Sequence, residues 1–192
     1  RIEDLDLERC LPGLADQFLR TLEQFGFEWH GEVLFQSHRN DLYESVLADL
    51  GARGLHYPCT CSRSMLALQA PEPGEEPVYP GTCRARAANT NDPHALRFHI
   101  ADDARPVRFE DAIQGHVEQD CRRETGVLVI RRRDGRAAYH LAVVVDDALQ
   151  GVTEVVRGAD LLTSTPRQIL IQQALGHGEP AYAHLPLLLE PD

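Results

Sequence analysis

Apolar residues along the chain recur at two periods, and the period separates helical from extended stretches. After Pro12-Gly13, Leu14, Phe18, Leu22 and Phe25 recur every three to four residues. They predict a helix with one buried stripe, ended by Gly26. Val33-Leu34-Phe35 is a short strand candidate. Ser37 is placed to cap a second helix, with Leu42, Val46, Leu47 and Leu50 as its apolar face and Gly51 or Gly54 as its stop. The opening Arg1-Ile2-Glu3-Asp4-Leu5-Asp6 alternates apolar and acidic positions. It reads as a strand end running into a loop with carboxylates at its tip. Strand, helix, strand, helix is an α/β rhythm.

The pattern changes after Leu55. Residues Ser62 to Gln69 suit one short helix, capped by Ser62 and packed through Met65, Leu66 and Leu68. Pro71 to Pro80 holds four prolines, a glycine and three glutamates, and reads as a loop. Beyond it, Leu96, Phe98 and Ile100 alternate, as do Val107 and Phe109, and Val127 to Ile130 is a continuous apolar run. The middle of the chain is therefore expected to be a small α+β or mostly β insert. Tyr139 to Asp146 then carries Leu141-Ala142-Val143-Val144-Val145, which suits a strand covered on both faces of a parallel sheet. Asp146-Asp147 reads as the turn after it. Val152 to Val156 predicts another strand, ending at Arg157-Gly158. Thr165-Pro166-Arg167-Gln168 is a helix start with Thr165 as cap and Gln168 as capping-box partner. Ile169, Leu170 and Leu175 would pack below it, and Gly176 would end it. An apolar stretch, Leu185 to Leu189, follows without an obvious closing element.

Composition narrows the chemistry. The 192 residues suffice for one or two domains with a sizeable core. No apolar run is long enough to span a membrane, and no signal-peptide pattern opens the chain. A net charge of −11 argues against gripping nucleic acid over the whole surface. All 19 basic residues are arginines. The chain itself thus offers no P-loop lysine, no Schiff base and no lysine clamp. Anions must be met by arginine, histidine or backbone N–H groups.

Three of the five cysteines, Cys59, Cys61 and Cys83, fall within 25 residues, on either side of the proline-rich loop. A metal clip explains that arrangement, because zinc takes about four tetrahedral ligands and thiolates are good ones. Only three thiols are available, so Tyr79, His56, a water or a more distant residue must complete the set. The alternatives are three separate cysteines buried as small hydrophobes, or a disulfide. An odd cysteine count and a C-x-C pair favour a reduced, cytoplasmic protein. Two further constellations stand out. Glu3, Asp4 and Asp6 could hold an amino group at a strand end, where α/β sheets bind ligands. Arg157-Gly158-Ala159-Asp160 could present a guanidinium fork to a carboxylate, with Asp160 as cap or ribose contact. Tyr139 and His140 lie nearby in sequence. Arg131-Arg132-Arg133, with Arg122, Arg123 and Arg136, is either a phosphate-facing group or a solvated hairpin edge.

Taken together, Arg1 to Asp6, Pro12-Gly13, Gln36-Ser37, Tyr57 to Arg63, Tyr79 to Arg84, Tyr139 to Asp147 and Val155 to Leu161 resemble the glutamyl-tRNA synthetase-like class I enzymes. Within them the likeness is to the shortened glutamyl-Q tRNA(Asp) synthetase branch, and it covers essentially the whole chain. The resemblance implies an α/β fold: a class I Rossmann-type parallel sheet with an inserted zinc-bearing α+β lobe. Residues 1–55 and 139–192 would form the catalytic domain and 56–138 the insert. It implies ATP-dependent activation of glutamate, with Mg²⁺, and transfer to queuosine of tRNA(Asp) by a monomeric enzyme. It places structural zinc on Cys59, Cys61, Tyr79 and Cys83. Glu3 would hold the glutamate α-amino group, Tyr139 would line the pocket, and Arg157 would pair with the side-chain carboxylate. Val143 stands where ordinary glutamyl-tRNA synthetases usually have asparagine, which favours the shortened branch. The family's His-Ile-Gly-His-type motif would lie upstream of Arg1 and its Lys-Met-Ser-Lys-type loop downstream of Asp192. The 192 residues alone are therefore expected to hold part of the glutamate site, little of the ATP site and no activity. A tRNA(Glu)-charging synthetase and a non-catalytic RNA-binding module are the competing readings.

Overall fold

A computed structural model of the chain describes residues 1–6, 9–67, 79, 81–85, 90–125 and 128–188. Expectations for Leu68, Gln69, Val127, Leu189 and the 71–80 loop apart from Tyr79 lie outside these residues.

Helix α1 spans Leu14–Gln24 and α2 spans Asn40–Ala52. The period found in sequence is present in both, but its use differs. Helix α2 buries Tyr43, Leu47 and Leu50 in the main core. Helix α1 buries none of its residues, and Phe18 and Phe25 are 59% and 78% exposed. Periodicity marks a face that can be buried; what covers it is a tertiary matter. The strand expected at residues 33–35 reduces to a single parallel bridge between Phe35 and Ile2. Ser37 does not cap α2. It lies in a 3₁₀ turn, Gln36–His38, and donates from both N (2.8 Å) and Oγ (2.6 Å) to the Asp4 carboxylate.

The next segment forms β1 (His56–Cys59), short helices α3 (Arg63–Ala67) and α4 (Thr82–Ala85), and β2 (Ala95–Phe98). Strands β3 (Val107–Asp111) and β4 (Gly115–Gln119) follow as a hairpin, and then β5 (Val129–Arg131). Strand β3 alternates buried and exposed positions, as Val107 and Phe109 predict. The chain closes with α5 (Tyr139–Leu149), β6 (Glu154–Gly158), α6 (Thr165–Leu175) and β7 (Ala181–Leu185).

Two sheets result. One is antiparallel, in the order β1-β2-β5. The other is mixed, in the order β4-β3-β7-β6, with β3, β7 and β6 parallel. Residues 56–138 thus contribute strands to both sheets.

The strand expected over Tyr139–Asp146 is instead helix α5. Every residue from Leu141 to Asp147 is buried, so no amphipathic period exists to betray a helix. A uniformly apolar run is compatible with a covered strand or an internal helix, and packing decides between them. Here Leu141, Ala142, Val144 and Val145 join Tyr43, Leu50, Phe98, Ile130 and Ile171 in one core cluster. Asp146-Asp147 is correspondingly no turn; both residues lie in α5. Helix α6 begins at Thr165 with Pro166 in its first turn and ends at Gly176 in the left-handed conformation (φ 72°). No side-chain cap forms there. Thr165 Oγ1 contacts the Leu161 carbonyl instead (3.4 Å).

Candidate active site and metal centre

The Asp146 carboxylate is fully buried and shows how α5 tolerates its acids. It accepts hydrogen bonds from Gln36 Nε2 (2.8 Å), Arg39 Nε (2.9 Å) and Tyr43 Oη (2.8 Å). Burial, then the bond to Asp146, pushes the Tyr43 phenol well above its usual range. A buried carboxylate needs such partners to remain charged. Asp147, one residue on, faces a cavity and accepts from Arg1 Nη1 (2.6 Å). Arg1 also reaches Gln150 Oε1 (3.0 Å) and Glu3 Oε1 (3.0 Å).

That cavity has a volume of about 630 Å³ and is lined by Arg1, Glu3, Tyr139, Val143, Asp147 and Arg157, among others. Residues 3, 139 and 157 come from three separate parts of the chain, and the fold brings them to one space. Of the opening acids, only Glu3 faces it. Asp4 is engaged by Ser37, and Asp6 lies near Arg9 (3.7 Å) and Arg132 (3.9 Å). Tyr139 sits at the start of α5, half exposed. Its phenol is raised by burial and by Glu3, against the opposing influence of Arg157. The cavity carries carboxylates from Glu3 and Asp147 and guanidinium charge from Arg1 and Arg157. Such a mixed wall suits a small zwitterion with a further anionic group.

Arg157 lies on β6, directly opposite His184 on β7. Its Nε donates to His184 Nε2 (3.1 Å), and its Nη2 donates to Thr165 Oγ1 (2.8 Å) and Gln168 Oε1 (2.8 Å). Its Nη1 makes no hydrogen bond or ion pair among the described residues. His184 is fully buried, and its Nδ1 lies 2.5 Å from Asp111 Oδ2. The other Asp111 oxygen accepts the backbone N–H groups of Ile113, Gln114 and His184. Burial would raise the Asp111 carboxyl, but these bonds outweigh it and hold it below the usual carboxylate range. A Cβ at Gly158 would meet the carboxylate of Asp160 and a methyl of Leu187, side-chain ends that would have to shift. Sequence reasoning missed Thr165, Gln168 and His184 as partners of Arg157, and Asp111 behind His184. Strand β7 carries no alternating apolar signature strong enough to have placed His184 there.

The second site is the thiol cluster. The sulfurs of Cys59, Cys61 and Cys83 all lie within 4.8 Å of one another, close enough to share one metal ion. Cys61 and Cys83 Sγ are 3.5 Å apart. The Tyr79 phenol oxygen is 3.6 Å from Cys59 Sγ and accepts the Cys83 N–H (2.8 Å). Arg97 stacks over the Tyr79 ring at 4.3 Å. Burial pushes the Cys83 thiol up, but bonds from the Thr60 backbone, Tyr79 and the other two cysteines bring it down to about 6. Burial and the bond to Cys83 push Cys61 up to about 11. His56 is not part of the cluster. Its Nε2 bonds the Leu47 carbonyl in α2 (3.0 Å), under Gly51, where a Cβ would collide with the ring.

The arginine run does not gather into one cationic face. Arg132 pairs with Asp134 (2.8 Å), Arg123 with Asp120 (3.5 Å), and Arg122 with Asp102 (3.0 Å). Arg136 bonds the Leu5 carbonyl and Arg133 the Thr60 carbonyl.

Among known proteins, the chain is 48% identical over 192 residues to the glutamyl-Q tRNA(Asp) synthetase of Pseudomonas entomophila (strain L48). It is 50% identical over 192 residues to that of Ectopseudomonas mendocina (strain ymp). In both cases all of this chain matches 62% of the relative, so the chain spans less than two thirds of their length. The crystal structure of a glutamate tRNA ligase from Elizabethkingia meningosepticum CCUG26117, in complex with its amino acid, superposes with a TM-score of 0.83 at 25% identity. The match covers 100% of this chain and 43% of that one, and shows a class I synthetase fold. The family described as tRNA synthetases class I (E and Q), catalytic domain, matches residues 1–192, and to that family the chain belongs.

Proposed function

We propose that the polypeptide carrying this chain activates glutamate with ATP and transfers it to queuosine in tRNA(Asp). The observation that carries the reading is the convergence of Glu3, Tyr139 and Arg157 on one cavity. The relatives at 48–50% identity bear the name of that enzyme, which favours it over a tRNA(Glu)-charging synthetase.

In this reading Glu3 accepts hydrogen bonds from the α-ammonium group, Tyr139 closes one wall, and Arg157 meets the side-chain carboxylate through Nη1. Binding fixes the α-carboxylate for in-line attack on the α-phosphate of ATP, which is bound with Mg²⁺. Attack yields glutamyl-adenylate and pyrophosphate, and a queuosine hydroxyl then takes the glutamyl group and releases AMP. Orientation and fixed charge supply the rate, with no covalent enzyme intermediate.

Zinc is the metal proposed for the cluster, with Cys59, Cys61, Cys83 and the Tyr79 oxygen as its donors. At a Zn–S length of about 2.3 Å, tetrahedral sulfurs lie about 3.8 Å apart. The Cys61–Cys83 distance of 3.5 Å and the 4.8 Å bound on the trio fit after small side-chain shifts. Its role would be structural, tying β1 to α4. The division into 1–55, 56–138 and 139–192 remains part of the proposal, as do a monomeric state and a cytoplasmic location. All five cysteines are free thiols, and among the described residues no helix is long and apolar enough to cross a membrane.

The test is transfer of radiolabelled glutamate by the purified full-length polypeptide to tRNA(Asp) with and without queuosine, and to tRNA(Glu). Label on queuosine-bearing tRNA(Asp) alone is expected. Label on tRNA(Glu) would establish the ordinary synthetase, and glutamate-independent RNA binding without pyrophosphate exchange would establish the silent module.

A further inference from the structure

We infer that Asp111 and His184 are positioning residues that hold Arg157 as a fixed, donor-only reader of the substrate carboxylate and so separate glutamate from glutamine. The inference rests on the glutamate-site reading above and adds to it two residues that do not line the cavity.

The argument begins from the guanidinium, which can only donate. Arg157 Nε lies 3.1 Å from His184 Nε2, so that ring nitrogen must accept and carries no proton. The His184 proton then sits on Nδ1, where Asp111 Oδ2 receives it at 2.5 Å. Asp111 can impose this tautomer because its other oxygen is already held by three backbone N–H groups, at 2.9–3.1 Å. Asp111 is 4% exposed and His184 0%, so water does not compete for either group. The chain of bonds crosses the three parallel strands β3, β7 and β6 at their adjoining ends.

The result at Arg157 is directional. Its Nε edge is taken by His184, and its Nη2 by Thr165, Gln168 and the Leu161 carbonyl. All of these accept, so the plane of the guanidinium is fixed. The guanidinium nitrogen left for a substrate is Nη1, which presents N–H groups only, on a side chain that lines the cavity. A carboxylate offers acceptors on both oxygens; a carboxamide turns an NH₂ against a donor in one of its two orientations and offers no charge in either. If His184 carried its proton on Nε2, it would oppose Arg157 Nε–H and the guanidinium would turn.

The experiment measures glutamate-dependent and glutamine-dependent ATP–pyrophosphate exchange in the full-length enzyme. Asp111→Asn keeps the shape but releases the tautomer. It should raise the KM for glutamate about tenfold and lower the glutamate-over-glutamine preference about tenfold, with kcat and the KM for ATP unchanged. His184→Asn keeps a donor toward Asp111 but cannot reach Arg157, and should behave like Asp111→Asn. His184→Gln places an acceptor near the position of Nε2 and should restore most of the affinity. Wild-type glutamate KM and selectivity in Asp111→Asn and His184→Asn would overturn the inference. So would an equal rise in the KM for ATP, which a merely structural role predicts. A second readout does not need activity: ¹⁵N-histidine NMR spectra of the wild-type protein should show His184 protonated at Nδ1 alone. Protonation at Nε2 overturns the relay even if the variants fail to fold. A wild-type enzyme without glutamate-dependent exchange would refute the functional reading, while those spectra still decide the relay.

Discussion

The thiol cluster and the charged cavity are built on opposite plans. Cys59, Cys61, Tyr79 and Cys83 lie within 25 positions of one another, and a turn of chain is enough to gather them. Glu3, Tyr139 and Arg157 span 155 positions and meet only because a helix and two parallel strands are in place. The first kind of site can form from local chain closure plus a metal. The second inherits its geometry from the core and is as precise as the packing around α5 and β7.

This contrast can be broken most strongly at the thiol cluster. Cys83→Ser, or chelation of the wild-type protein, should reduce bound zinc to near zero, as plasma emission spectrometry would read. It should also speed hydrogen exchange in the β1–α4 region, which stays folded but loosened, while β3, β6 and β7 stay protected. Structural zinc sites contribute about 10 kcal/mol or more of binding energy in small peptides, so this is the largest effect expected. Loss of protection across both sheets would show that the two sites do not fold separately.

Asp146→Ala strikes the other region from within its core. It strands the partly buried Arg39 and the buried Tyr43 without their acceptor, and should cost about 3–5 kcal/mol in denaturant unfolding. The zinc content should not change. Arg157→Ala should lower glutamate-dependent exchange about 100-fold through loss of a charged contact, with little change in zinc. An activity loss that follows zinc content instead would place the cluster in the chemistry.

The smallest effect concerns reactivity in the metal-free protein. The thiolate is the nucleophile, so alkylation of Cys83 should rise with pH through about 6 and then level, whereas Cys61 should keep rising toward about 11. Because the folded Cys83 value lies below the ordinary 9.0, its contribution to stability is present above that value and is lost as pH falls through about 6. Peptide mapping after brief iodoacetamide treatment at several pH values checks the order. Zinc should protect both.

How much of this was legible beforehand differed from element to element. The stripe on α2, the alternation in β3, the end of β6 at Arg157-Gly158 and the stop of α6 at Gly176 are written in residue types whose local preferences agree with the fold. The α1 stripe was equally legible but is not buried among the described residues. Helix α5 is not legible in the sequence because Leu141 to Val145 has no polar position and therefore no period. His184 gave no signal at all, since a histidine in a short strand is ordinary until Asp111 and Arg157 flank it.

The order of residues by itself determined the candidate metal ligands, the lack of lysine within these 192 residues and the bounds of α1 and α6, because these depend on neighbours close along the chain. Only the tertiary structure decided that residues 139–149 coil instead of extending. It alone turned Glu3 toward the cavity while Asp4 turned to Ser37, and it alone seated a buried carboxylate and imidazole behind Arg157. Those outcomes depend on which groups are left to satisfy one another once water has been excluded, and that follows from the packing of distant segments.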